Sequence, residues 1–166
     1  MTQATITTSL SLDEISPLPG KIESLKEQRA QKVASYQSSC NELEESFAGG
    51  NLDQASELCE RADGMEREVD TLSAEIMQGE AELNGLIVEK LTDGRMLFKR
   101  LGNHNGGRQQ VKSAAEYLVK AKEAHEVKNL TAALLQAHQA IALLDELARE
   151  HISSRISYHR NRIATF

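Results

Sequence analysis

The chain holds no tryptophan, and its three tyrosines and three phenylalanines make up only 4% of 166 residues. A core without aromatic bulk must be assembled from Leu, Ala, Ile and Val, the usual material of helix seams. Its two prolines, Pro17 and Pro19, sit together near the start, so everything after Gly20 is free to be helical. Cysteine is equally scarce. Cys40 and Cys59 lie at equal distances from a turn centred on Gly49-Gly50, so an antiparallel hairpin would bring them to one level. With no Cys-x-x-Cys motif to suggest zinc or redox chemistry, they are expected as reduced thiols packed like small apolar groups.

Long apolar runs are missing as well, since no stretch approaches the ~18 residues a membrane span requires. The N-terminus lacks the basic start and apolar core of a signal peptide, which predicts cytoplasmic synthesis. Residues 1–11 are rich in Ser and Thr and carry no charge, as suits a flexible tail of the kind that some export machines accept. Basic residues are too few for a nucleic-acid partner: the net charge is -6, whereas phosphate binding draws its affinity from lysine and arginine.

What charge there is lies unevenly. Asn51 to Asn84 contains ten acidic residues against Arg61 and Arg67, and Gly85 to Lys112 contains six basic ones against Glu89 and Asp93. The last sixteen residues, His151 to Phe166, carry Arg155, Arg160 and Arg162 and no acid. Solvated helix faces account for such blocks, and so would acidic and basic faces that meet within the bundle or between chains.

The strongest positive signal is a run of apolar residues at steps of three and four: Ala55, Leu58, Ala62, Met65, Val69, Leu72 and Ile76. Polar residues fill the spaces between, so the run predicts an amphipathic helix with one narrow buried stripe. Its heptads continue through Leu83, Ile87 and Leu91 towards Leu97 and Leu101, a rod of about 75 Å if unbroken. Gly64, Gly79, Gly85 and Gly94 each weaken that helix by ~1 kcal/mol relative to Ala. A kink or break is therefore expected between Gly79 and Gly94. The rival reading is a β-hairpin of 86–91 and 96–101 turning at Asp93-Gly94.

Before this helix, Lys21 to Phe47 reads as another, ended by Gly49-Gly50, with Asn51 as N-cap of the next. Gly102 to Gly107 is the one unmistakable interior loop. After it come a helix at Gln109–Glu126, a tight turn at Val127–Asn129, and a helix from Leu130 towards Arg162. The chain thus reads as all-α: an antiparallel four-helix bundle, or two αα-hairpins with one long coiled-coil-like helix. Its expected divisions are a flexible tail at 1–20, a first hairpin at 21–101, a loop at 102–108 and a second hairpin at 109–166.

The halves align at an offset of 78 residues. Gln31, Val33, Ser35, Glu45, Asn51, Leu52, Ala55 and Ala62 then match identical residues at 109, 111, 113, 123, 129, 130, 133 and 140. Seam positions and turns coincide too, Cys40 falling on Leu118, Met65 on Leu143 and Val69 on Leu147. Gly50-Asn51-Leu52 with Ala55 and Ala62, and Ala121 with Asn129-Leu130, Ala133 and Ala140-Ile141, resemble the helix-turn-helix of tetratricopeptide repeats and of microtubule-interacting-and-transport domains. The resemblance implies a peptide-binding groove between helices. The Trp, Leu-Gly and Tyr of the tetratricopeptide first helix are absent, so membership is not assigned.

No constellation of residues points to chemistry. The five histidines, at 104, 125, 138, 151 and 159, include no Glu-x-x-His pair, and His138 and His151 fall about 140° apart around one helix. His125, which aligns with Phe47, is expected to be partly buried near a turn. Gly106-Gly107-Arg108 lacks the preceding strand and the Lys-Ser/Thr ending of a phosphate loop. No catalytic, cofactor or metal residue is assigned, and the chain reads as non-enzymatic. The function expected is protein–protein interaction, as adaptor, assembly factor or secretion-associated chaperone or effector. The seam expected to carry it is Leu58, Met65, Val69, Leu72, Ile76, Leu83, Ile87 and Leu91, offered to a helical partner or to a second copy as an antiparallel homodimer. The alternatives are a peptide-binding module using a groove between 109–126 and 130–150, and a small-ligand or metal-binding bundle.

Overall fold

The computed structural model describes residues 11–101 and 108–165. They form five helices, α1 (Leu12–Ile15), α2 (Leu18–Ala48), α3 (Leu52–Leu101), α4 (Arg108–Glu126) and α5 (Leu130–Ala164), and no strand. The all-α class read from the periodicity is what is found. Loop residues 102–107 and the tail at 1–10 lie outside the described residues. The chain divides into two units, Met1–Glu82 and Leu83–Phe166, so the boundary falls inside α3 rather than at the loop.

In the first unit, α2 begins three residues earlier than its sequence suggests, and α1 at Leu12–Ile15 lies inside the span 1–20 read as a tail. Pro19 occupies the first turn, where no backbone N–H is needed, and the Leu18 N–H donates to the Ser16 hydroxyl at 3.2 Å. α2 and residues 52–82 of α3 then pack antiparallel. The Lys26 ammonium sits 3.1 Å from Glu80, Lys32 pairs with Glu68, and the buried Ser39 hydroxyl lies 3.6 Å from the Met65 sulfur. Ile22 and Leu25 of α2, and Ala55, Leu58, Ala62 and Ile76 of α3, are buried. Exposed ion pairs of this kind contribute little, so the apolar seam carries the stability.

The second unit is a three-helix arrangement of α3 residues 83–101, α4 and α5. Asn84 meets His125, Gly94 meets Leu118, and Leu101 clusters with Ala114, so α4 runs antiparallel to α3. Leu144 and Leu147 of α5 complete the cluster around Leu101 and Ala114. α4 and α5 pack on each other, and among the fully buried residues of this unit are the small Ala121, Ala133, Ala137 and Ala140.

No strand turns at Asp93-Gly94: α3 is helical from Leu52 to Leu101 without a break. Packing explains why glycines that suggested a break are tolerated. A Cβ on Gly94 would lie 2.7 Å from Leu118 Cδ2 and 3.6 Å from Ile141 Cγ1, and one on Gly79 would lie 3.0 Å from Ile22 Cγ1. At both positions the missing side chain makes room for a neighbouring helix.

The 78-residue offset holds in the backbone hydrogen bonds. The Gly49, Gly50 and Asn51 N–H groups donate to the carbonyls of Glu45, Phe47 and Ser46, and those of Val127, Lys128 and Asn129 donate to Glu123, His125 and Ala124. Each bond of the first turn recurs in the second, shifted by 78. Asn51 Oδ1 accepts from the Gln54 N–H and Asn129 Oδ1 from the Ala132 N–H, both at 3.2 Å, capping α3 and α5 alike. Only the left-handed residue differs: φ is 79° at Gly50 and 59° at Lys128. A lysine pays about 1 kcal/mol to hold that conformation. Lys128→Gly is expected to raise stability by up to that amount, measured as a shift of the urea midpoint at unchanged slope.

Candidate interaction surface

The seam residues singled out in the sequence are covered by the chain's own helices to different degrees. Leu58, Ile76, Leu83, Ile87 and Leu91 are buried. Met65, Val69 and Leu72 are half-buried. Because α3 is longer than either neighbour, its sequence predicts apolar residues from Ile76 onward with no partner within the chain. The structure corrects this. α3 is partnered by two sets of helices in succession, with Gly79 beside Ile22 of α2, and Asn84 and Gly94 beside α4.

The uncovered stripe lies on α5 instead. Leu147 is the last buried residue of that helix, His151 is half-buried, and residues 152–165 are all exposed. Ile152, Ile156 and Ile163 are 57%, 50% and 72% exposed. At ~100° per residue these isoleucines and His159 fall within about 60° of one another, a narrow apolar stripe. Arg155 and Arg162 border it on one side and Arg160 on the other, while Ser154, Ser157 and Asn161 occupy the opposite face. Within the helix, Arg155 lies over the Tyr158 ring, 5.3 Å from its centroid, and its Nη2 donates to His159 Nε2 at 3.3 Å. The Tyr158 and His159 rings meet edge to face at 5.3 Å. These contacts lie within one helix and support its exposed C-terminal turns. The sequence carried a signal for this surface in the acid-free arginine run, although periodicity drew attention to α3.

Other candidate residues are placed as follows. His125, half-buried at its turn, has Nε2 2.6 Å from Asn84 Oδ1. Burial, and then the charge of Lys90, hold His138 below the ordinary histidine range. Cys40 is half-buried and Cys59 exposed, both as free thiols. The Cys40 side chain, followed by Glu66, raises the Tyr36 phenol above its usual value. Among the described residues, no three His, Cys, Asp or Glu side chains are grouped so as to hold a metal ion. α4 and α5, between which the sequence suggests a peptide groove, pack on each other, and both carry fully buried alanines.

One buried polar atom lacks a partner among the described residues, the Gln136 side-chain oxygen. At the 78-residue offset Gln136 stands where α3 has the buried Leu58. An unsatisfied buried oxygen costs ~1–3 kcal/mol. Gln136→Leu is therefore expected to stabilise the second unit by about 1 kcal/mol, read from thermal or urea unfolding; a loss of stability would show that the glutamine serves the packing there.

No helix among the described residues is long and apolar enough to cross a membrane. Comparison with protein-family models, with curated proteins and with solved structures finds no match to this chain.

Proposed function

We propose that this chain is a non-enzymatic helical interaction module, an adaptor, assembly factor or secretion-associated chaperone or effector, which takes a protein partner on the C-terminal turns of α5. The observation that carries the reading is the exposed stripe of Ile152, Ile156 and Ile163, beyond the last packed turn of the helix. Isolated helices of this length are marginal in water, and aligned exposed isoleucines are an unfavourable surface unless something covers them. Within the second unit the stripe continues α5 beyond Leu147, the last buried residue of that helix. Helix-in-groove recognition reads such a stripe through anchors at i, i+4 and i+11.

Photo-crosslinking in living cells tests this. A photoreactive phenylalanine at Ile156 is expected to give discrete protein adducts, and the same probe at Ser154, on the opposite face, far fewer. Replacing Ile152 and Ile163 by serine should remove the adducts while leaving unfolding within about 0.5 kcal/mol of the parent, since the positions are exposed. A folded protein that gives no adduct at Ile156 would overturn the reading.

A further inference from the structure

We propose that the arginine-bordered end of α5, residues 151–164, docks on the acidic α2–α3 turn of a second copy of this chain. This rests on the reading of the α5 end as an interface and names its partner. The two surfaces complement each other in charge. Between Val33 and Glu60 the chain carries Glu42, Glu44, Glu45, Asp53, Glu57 and Glu60 and no Lys, Arg or His, whereas His151 to Phe166 carries three arginines and no Asp or Glu. They match in apolar character as well. Phe47 and Leu52, on either side of the turn, are 69% and 66% exposed, and they give the isoleucine stripe apolar side chains to rest on amid carboxylates that suit its arginine borders.

The internal duplication shows that the stripe is not a hairpin face that has lost its partner. Ile76, Gly79 and Leu83, buried on α3, correspond at the 78-residue offset to Ser154, Ser157 and Asn161 of α5. Where α3 packs, α5 is polar, and its isoleucines lie on the other side of the helix. An anionic membrane would also attract the arginines, at about 1 kcal/mol each. It would repel the rest of the molecule, because Met1–Glu82 holds seventeen of the 25 acidic residues and six of the 19 basic ones. A protein surface that concentrates carboxylates around exposed apolar groups is the better match, and the chain itself carries one.

Each copy offers one α5 end and one acidic turn, so two copies that exchange both contacts close a two-fold dimer, and copies that exchange one associate head to tail. Sedimentation velocity on the purified full chain is the test. At low salt the weight-average mass is expected to rise with protein concentration across the micromolar range. In about 0.5 M salt, where screening acts over a few Å, it should fall to that of a single chain. R155E/R160E on the α5 end, and E42K/E44K/E45K at the turn, should each weaken association at least about tenfold. An equimolar mixture of the two variants should recover it, since the native end of one then meets the native turn of the other and the reversed end meets the reversed turn; circular dichroism establishes that both are folded.

A mass that stays monomeric at every concentration, or that ignores both charge reversals, would overturn the inference. So would stronger binding of the parent to phosphatidylserine vesicles than to itself, lost in R155E/R160E. A monomeric chain whose Ile156 photo-adducts are all with other proteins would sink the second copy as partner and leave the interaction reading standing.

Discussion

Ile87→Asp is expected to unfold the second unit. Ile87 is completely shielded from solvent, so the substitution removes a packed side chain worth ~2–5 kcal/mol and leaves a carboxylate in an apolar site. The combined loss, about 5 kcal/mol or more, is comparable to the whole stability of a domain this size. Thermal unfolding followed by circular dichroism should show the helical signal of α4 and α5 lost at ordinary temperatures. Leu72→Asp should cost distinctly less, because Leu72 is half-buried and its carboxylate can reach water. Equal effects at 72 and 87 would mean that the gradient of burial along α3 is wrong.

Gly94→Leu should cost about 2 kcal/mol although it replaces a poor helix former with a good one. The gain of ~1 kcal/mol in helix propensity is outweighed by overpacking, since even a Cβ would lie 2.7 Å from Leu118 Cδ2 and 3.6 Å from Ile141 Cγ1. Gly85 is the internal control. Nothing lies within 4 Å of a Cβ built there, so Gly85→Ala is expected to stabilise by about 0.5–1 kcal/mol. Urea midpoints for the two variants should move in opposite directions. If both stabilise, α3 does not approach α4 and α5 as closely at Gly94 as described.

The glycines show where reading a sequence reaches its limit. A glycine inside a heptad run is locally unfavourable in a helix, and Asp93-Gly94 is locally a good turn. Both facts are sound, and both are overridden by a contact with residues 118 and 141, far away in the chain. The start of α2 illustrates the converse case. Pro17-Leu18-Pro19-Gly20 looks like a stop, yet Pro19 in a first turn costs the helix no hydrogen bond.

Residue order by itself determined the all-helical class, the extents of α2, α4 and α5 to within a few residues, both turns with the Asn51 cap, and the 78-residue relation between hairpins. These are legible because periodicity, capping and turn chemistry are properties of neighbours in the chain. Tertiary structure alone decided which apolar residues are left uncovered. The seam through Ile76, Leu83, Ile87 and Leu91 and the stripe at Ile152, Ile156 and Ile163 look alike as sequence, since each repeats at helical spacing. They differ in that the first meets α2, α4 and α5, whereas α5 runs on past the helices that bury Leu144 and Leu147. Burial is a relation between distant segments, and no local pattern encodes it.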